Sequence, residues 1–266
     1  IGVKLFRRHS RGVELNQAGN VLQPILAEAF RQISEGIGRV AALPAELRII
    51  CPPATSMRWL MPRLDDFRTR YPEYGLQLTT DYLRGAYDPT RFNIGFSIEN
   101  WQGRRDSICV EPLVPMVIVP ACTPEIAAQL ATPEDLTKRP LLHETHERSD
   151  WTAWNHVFRI PGLAVSSGNT FHNLDMAIQA ALLGHGVVMV DLLLARRELE
   201  DGFLTLPFPD LMCDTPLGRF ALLGDGETWD EPPVKAFRTW IGEVARTDER
   251  DLFAKRKWRS FADTLE

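Results

Sequence analysis

One stretch constrains this chain more than any other: QAGNVLQPILAEAFRQISEGIGRVAAL, starting at Gln17. Ala18, Val21, Leu22, Ile25, Leu26, Ala29, Ile33, Ile37, Val40 and Ala41 recur at three- and four-residue spacing, which predicts a helix with one apolar face. The stripe lasts about seven turns of 3.6 residues. So long a helix, apolar on one side, needs cover along its whole length. A second copy of itself supplies a matching stripe, which makes Val21, Leu22, Ile25, Ala29, Ile33, Ile37 and Val40 the expected dimerisation residues. The alternative is an ordinary core helix of the domain that follows. Asn16 stands where an N-cap is expected, and Pro24 should bend the first turns because it removes a hydrogen bond.

Ahead of the helix lies IGVKLFRRHSRGVEL. Val3, Leu5 and Phe6 give apolar anchors, Val13 and Leu15 alternate with Glu14, and Gly12 offers a positive φ for a reversal. Two short antiparallel strands turning at Ser10–Gly12 are expected, a unit too small to stand alone. Charge concentrates here. Residues 1–50 hold seven Lys/Arg against four Glu, a net +3, while the whole chain is at −5, leaving −8 for the rest. A basic ribbon on an acidic body fits a small nucleic-acid contact, and a solvated turn is the other reading. Arg7, Arg8 and Arg11 can donate to phosphate or reach a minor groove, with His9 and Ser10 adding weaker bonds.

The body repeats a strand–helix–strand rhythm. ELRIICPP reads as a strand, TSMRWLMPRLDDFRTRYPEYG as a helix burying Met57, Leu60, Leu64 and Phe67, and LQLTTDY and RFNIGFSI as two more strands. The pattern restarts with EPLVPMVIVPA and TPEDLTKRPLLHE. It continues through AIQAALLGHGVVMV, a helix and a buried strand, and LLLARRELEDGFLTLPF, read as helix, turn and strand. PLGRFALLGD and PPVKAFRTWIGEVAR close it with a strand and a helix that turns Val234, Phe237, Trp240, Ile241 and Val244 inward. This is an α/β pattern with mainly parallel pairing. Two lobes with a ligand cleft between them account for it better than one continuous sheet.

The negative findings narrow the function. No apolar run approaches the roughly 20 residues of a membrane span, and no apolar segment or cleavage site follows the N-terminal basic residues, so neither a membrane partner nor a secretory signal is expected. Cys51, Cys109, Cys122 and Cys213 are far apart, which suits free thiols in a reducing cytoplasm. There is no G-x-S-x-G elbow, Walker loop, HExxH or dinucleotide fingerprint. His143, Glu144, His146 and Glu147 in HETHERSDW crowd too closely for an evident metal geometry, and His9, His156, His172 and His185 lack recognisable catalytic companions. Neither enzyme chemistry, nor a metal, nor a cofactor is expected.

GVKLFRRHSRGVELNQAG resembles the wing and linker-helix start of LysR-type transcriptional regulators, with Asn16 where threonine is usual. ATSMRWLMPRLDDFRTRYPE and AIQAALLGHGVVMVDLLLARRELEDGFLTLPF are similar to the first helix and a late helix–strand–helix run of the family's effector domain. RWLMPRL, DWTAW and AIQAALLGHGV favour the subgroup typified by the glycine-cleavage-operon regulator. The resemblance implies a winged helix-turn-helix DNA-binding domain, a dimerising linker and a two-lobed periplasmic-binding-protein-like effector domain, in a homodimer or homotetramer that binds promoter DNA and a small-molecule effector. It divides the chain into a wing remnant (1–15), a linker helix (16–44), an effector domain (45–246) and an extension (247–266). Lobe 1 takes about 45–110 and 215–246, and lobe 2 about 111–214. The helices that precede the wing in the family, including the base-reading one, are not in this sequence, which suggests a fragment, a wrongly chosen start or a degraded gene product.

For the effector, Thr55 and Ser56 precede a helix at the position family sites use, with Thr79, Thr80 and Asp81 ending the next strand and Phe96 and Ser97 the third. Ser97 stands where the subgroup often has arginine, and Asp81 adds negative charge, so a simple amino or carboxylic acid is disfavoured. Thr123, Asn169 and Thr170 are the candidates from the second lobe. Rival functions on the same plan are a solute-binding protein and an enzyme. The tail TDERDLFAKRKWRSFADTLE reads as an amphipathic helix or a loose end, with Lys255, Arg256, Lys257 and Arg259 as a second basic cluster. Effector, operator and direction of regulation are not legible from sequence.

Overall fold

The computed structural model describes residues 2–9, 12–41, 45–83, 87–102, 105–144, 147–254 and 256–264, in two compact units, Ile1–Ala45 and Glu46–Glu266. In the first unit β1 (Phe6–His9) and β2 (Gly12–Leu15) pair antiparallel, with Phe6 opposite Leu15 and Arg7 opposite Glu14. Ser10 and Arg11 lie outside the described residues. Helix α1 (Gln17–Ala41) follows, with Pro24 inside it. Asn16 ties helix to hairpin. Its Oδ1 accepts the Gly19 N–H at 2.9 Å, its Nδ2 donates to the Lys4 carbonyl at 2.6 Å, and its own N–H donates to the Leu5 carbonyl at 2.9 Å. Gly19 permits this closeness, since a Cβ there would sit 2.3 Å from the Leu5 oxygen.

The apolar face of α1 is open within the chain. Val21, Ile25, Phe30 and Ile33 are each more than half exposed, and Ala29 is exposed as well. Leu22 is half-buried and faces the hairpin, around an apolar hollow of about 300 Å³ shared with Leu5, Phe6 and Leu15. The side chains of Ile37 and Val40 lie outside the described ones.

The second unit carries strands β3 (Ala45–Cys51), β4 (Tyr74–Thr80), β5 (Ile94–Ile98), β6 (Ile108–Ala121), β7 (Leu141–His143), β8 (Asn169–Thr170), β9 (Val187–Asp191) and β10 (Cys213–Asp225). Its helices are α2 (Pro53–Thr55), α3 (Leu64–Arg70), α4 (Pro124–Ala127), α5 (Ser149–Phe158), α6 (Leu174–Leu182), α7 (Arg196–Glu200) and α8 (Pro232–Phe253). The strands form one ladder in the order β4-β3-β5-β10-β6-β9-β7-β8. This corrects the expectation that two lobes exclude a continuous sheet: β6 and β10 are long enough to serve both. Their register shifts between Asp214, Arg219 and Ala221, where Arg219 faces Pro115. Proline has no N–H for a ladder, so Pro115 and Pro216 mark a waist. β3, β4 and β5 lie on one side of it as lobe 1, and β7, β8 and β9 on the other as lobe 2.

Both faces of the lobe 2 sheet are dry, which explains the unbroken run VVMV. Val188 and Val190 join Ala177, Ile178 and Ala181 of α6 on one face, while Val187 and Met189 join Trp151 and Trp154 of α5 on the other. In lobe 1, Leu47, Ile49 and Cys51 share a core with Leu60, Phe67, Phe237 and Trp240.

Two local expectations change. Met57 is 58% exposed, and Trp59, at 1%, takes the inward place. The cause is Pro62: the backbone closes a π turn over Ser56–Leu60 and a 3-10 turn over Met61–Arg63 before α3, which rotates the face. The strand expected near Phe203–Phe208 is reduced to one bridge between Cys122 and Thr205, with Gly202 at positive φ before it and Pro207 and Pro209 after. Val244 packs against the core as expected, half-buried beside the buried Ala245. The tail extends α8 to Phe253 and then packs on the body: Trp258 meets Phe253, the Arg259 guanidinium lies over the Phe158 ring, and Asp214 accepts the Phe261 N–H.

Candidate functional site

Strand direction defines the site. β3 and β5 run parallel, and Ile98 at the C-terminal end of β5 pairs with Phe220, beside the waist. β7, β8 and β9 are also mutually parallel, and Asp191 at the C-terminal end of β9 pairs with Ile118, beside the waist from the other side. The C-terminal strand ends of the two lobes therefore turn toward one another, the position where open α/β sheets hold ligands.

On the lobe 1 side, Ser56 is fully buried and its Oγ lies 3.3 Å from Thr80 Oγ1, while Thr55 is buried next to it. The Ser56 N–H donates to the Pro52 carbonyl at 2.8 Å, and Pro52 and Pro53 have no N–H, so only Ala54 and Thr55 keep helix-start donors free of that bond. Thr79 and Asp81, expected beside Thr80, line a different hollow of about 210 Å³ with Ile50, Asp88, Arg91 and Phe92. Alternation along β4 separates them. The Asp81 N–H donates to Cys51 O at 3.1 Å and its carboxylate accepts the Tyr82 N–H. Phe96 is buried in the core, edge-on to Trp59 and Phe237 at 6.1 and 6.2 Å, and does not face the waist as expected. Ser97 is half-buried opposite Ala221.

On the lobe 2 side, Asn169 and Thr170 form β8, where Thr170 sits opposite His143 and its Oγ1 accepts from Arg148 Nη2 at 3.4 Å. Thr123 is misplaced by the sequence reading. β6 runs away from the waist beyond Ile118, so Thr123 lies about 16 Å farther along at the opposite end, where its carbonyl starts α4.

Sequence reasoning passed over three acids near the lobe 2 strand ends. Asp191 ends β9, Glu144 follows β7, and Asp150 lies in the first turn of α5. Asp191 is 6% exposed; its Oδ1 accepts the Leu193 and Leu194 N–H groups, and the Val117 backbone N–H also bears on its carboxylate. Both carboxylate oxygens of Asp150 are withdrawn from solvent, with the backbone N–H groups of Asp150 and Trp151 bearing on them. Burial raises all three carboxyls: Glu144 to about 8, with the Asp150 and Asp191 charges adding to it, Asp191 to about 7 and Asp150 to about 6. His143 beside them is fully buried, holds the Ser167 carbonyl at 2.7 Å through Nε2, and has its pKa lowered chiefly by that burial. As a neutral ring it donates from Nε2. The apolar run VVMVD ending in an acid was the signal available in the sequence. His146 of the HETHER stretch lies outside the described residues, and among those described no cluster of three His, Cys, Asp or Glu side chains is placed to hold a metal ion.

Helices lock the lobes together. Arg58, between α2 and α3, donates to Asp175 of α6 at 2.5 Å and to Glu198 of α7 at 2.8 Å. Asp248 of α8 is 5% exposed and accepts from Trp59 Nε1 at 2.7 Å, Arg63 at 2.9 Å and Arg196 at 3.0 Å. These partners are 52 to 189 residues from Asp248 in sequence and carried no local signal.

Two α/β lobes sharing two crossing strands, with facing strand ends, are the plan of a periplasmic-binding-protein-like domain. The family description of a LysR substrate-binding domain matches residues 42–246. The glycine cleavage system transcriptional activator of Escherichia coli K12 is 30% identical over 254 residues, covering 94% of this chain and 82% of that protein. Its homolog in Haemophilus influenzae is 29% identical over 258 residues, covering 94% and 83%. Among solved structures, the effector domain of the transcriptional regulator AmpR of Pseudomonas aeruginosa superimposes with a TM-score of 0.66 at 25% identity, covering 78% of this chain and 98% of that one. The chain belongs to the LysR family of transcriptional regulators, and its second unit is the effector-binding domain.

Proposed function

We propose that this regulator senses a polar small molecule held between the two lobes, and that the complete protein binds promoter DNA as a homodimer or homotetramer in the cytoplasm. The observation that carries the first part is the facing of C-terminal strand ends across the waist, with Thr55, Ser56 and Thr80 on one side and Asn169 and Thr170 on the other. Ser97 borders the same waist. Calorimetry against a metabolite panel tests it: a binder should lose affinity when Ser56→Ala and Thr80→Ala are combined, with the melting temperature lowered by only a few degrees. Unchanged affinity in the double variant would place the ligand elsewhere.

The exposed stripe of α1 supports self-association, because Val21, Ile25, Phe30 and Ile33 present more apolar surface than a lone helix keeps in water. Arg7 and Arg8 are exposed on a two-stranded ribbon suited to phosphate contacts, which position a regulator without reading sequence. The four thiols are free, and burial pushes Cys122 up to about 11 and Cys213 to about 12, which suits a reducing compartment. Among the described residues no helix is long and apolar enough to cross a membrane.

A further inference from the structure

We infer that residues 256–264 form a strap across the waist, tying α8 of lobe 1 to β10 and α5 of lobe 2 and restraining rotation of one lobe against the other. This goes beyond the effector reading and does not depend on the identity of the ligand.

The waist is the weakly bonded part of the second unit. Cys213 and Asp214 pair with Ile118 and Val117, but the next partner along β10 is Arg219, opposite Pro115, and Gly218 in the gap sits at a φ of +80°. Proline brings no N–H to the ladder, and a few residues able to change φ and ψ are what a hinge needs. Two neighbouring strands with such a gap let the lobes turn about them. A third connection opposes that turning.

Helix α8 begins in lobe 1, where Phe237 and Trp240 pack on Phe67 of α3 with ring centroids 5.3 and 5.2 Å apart. Its last turns reach the waist. Asp248 accepts from Arg196 of α7 at 3.0 Å, and Glu249 from Arg219 of the crossing strand at 2.7 Å. The helix ends in a bonded turn: the Arg256 guanidinium donates to the Leu252 carbonyl at 2.8 Å and the Arg256 N–H to the Phe253 carbonyl at 3.3 Å. Two carbonyls that a helix end leaves over are satisfied in this way. Trp258 then packs back on Phe253, ring centroids 4.9 Å apart.

Beyond Trp258 the chain is held by lobe 2. Arg259 bridges Cys213 in parallel; its N–H donates to the Met212 carbonyl at 2.9 Å and its carbonyl accepts the Asp214 N–H at 3.2 Å. On the lobe 1 side β5 pairs with β10 at 220–223, and on the lobe 2 side Arg259 pairs with β10 where β5 no longer reaches. The Asp214 carboxylate accepts the Phe261 N–H at 2.5 Å and the Ser260 hydroxyl at 3.3 Å. The Arg259 guanidinium lies 5.1 Å from the Phe158 ring centre, and the Phe261 ring 5.3 Å from that of His156, both on α5. One end of the segment is therefore fixed to a lobe 1 helix and the other to a strand and a helix of lobe 2.

Amide hydrogen exchange on the full chain, with and without Trp258→Ala and Phe261→Ala combined, tests this. Releasing the strap should speed exchange at 113–117 and 215–219 by about tenfold, while the lobe cores at 47–51 and 187–190 change by less than about threefold. Small-angle scattering should show a broader distribution of interatomic distances in the variant. A chain ending at Ala254 should reproduce both results, and Phe261→Ala alone carries the comparison if the larger changes prevent folding. Lys257→Ala, exposed on the same segment, should match the unmodified chain. Faster exchange confined to 154–158 and 211–214 would make the segment a local cover of lobe 2 and overturn the inference. Equal acceleration at the waist and in the lobe cores, or none at the waist, would overturn it as well.

Discussion

The two sides of the waist are built from the same elements and furnished differently. Lobe 1 offers hydroxyls that satisfy one another, Ser56 against Thr80, and costs the protein little when no ligand is bound. Lobe 2 offers acids that burial has raised above their ordinary range, Asp191 and Asp150 being met by backbone N–H groups. A third acid site, Asp248, shows what the fold does when an acid serves structure: it is as buried as Asp191, yet receives an indole and two guanidiniums. The kind of partner, guanidinium and indole at one site and backbone N–H at the other, separates these equally buried acids.

Removing the structural acid should give the largest effect. Asp248→Ala strands the Trp59 N–H and leaves Arg63 and Arg196 without their shared partner. Both arginines are about a quarter to a third exposed and regain water, so a loss of about 3 kcal/mol in urea unfolding is expected at neutral pH. A loss as small as that of a surface substitution would erase the contrast between the guanidinium-paired acid and the acids of lobe 2.

The opposite sign is expected at the waist. A carboxyl whose folded pKa lies above its unfolded value binds more protons when folded, so its contribution is full below about pH 4 and is lost as pH rises through about 6 to 8. Chain stability should therefore fall as pH rises from about 4 through that range, and Asp191→Asn with Glu144→Gln should flatten the fall, with the largest gain, at least on the order of 2 kcal/mol, near pH 8 and almost none at or below about pH 4. Denaturant curves across pH read this directly, and a parallel displacement at all pH values would contradict it.

Arg58→Ala should cost less, about 1–2 kcal/mol, because Asp175 and Glu198 are only partly withdrawn from solvent. Its sharper signature is mechanical: with the bridge between α2–α3 and α6–α7 gone, small-angle scattering should show a wider spread of lobe separations. The smallest effect belongs to Ser56→Ala, under about 1 kcal/mol in thermal denaturation, since its partner Thr80 is exposed and turns to water.

Legibility in the sequence followed the range of the forces involved. The α1 stripe, the Asn16 cap and the doubly buried strand VVMV are set by residues within a few positions of each other, and each forms as read. Ser56 and Thr80, read together because they lie near strand ends, come within 3.3 Å of each other. Thr123 was misjudged because the same rule, that strand ends converge, holds only for parallel strands, and β6 is antiparallel to β9. Phe96 was misjudged because strand alternation near the end of β5 turns it to Trp59 and Phe237, residues placed by distant elements. The acids were missed because Glu144 follows a three-residue strand in a polar stretch and Asp191 resembles an ordinary polar strand end. Their raised pKa values come from burial by distant elements, and a sequence does not display that.

Hydrogen–deuterium exchange, with and without any metabolite that binds in the calorimetric panel, tests the central claim most directly. Binding between the lobes should slow exchange at 54–58 and 80–82 in lobe 1 and at 142–144, 170–172 and 191–194 in lobe 2, leaving 121–127 at the far end of β6 unchanged. Protection confined to one lobe, or appearing around Thr123, would contradict a site built from the facing strand ends.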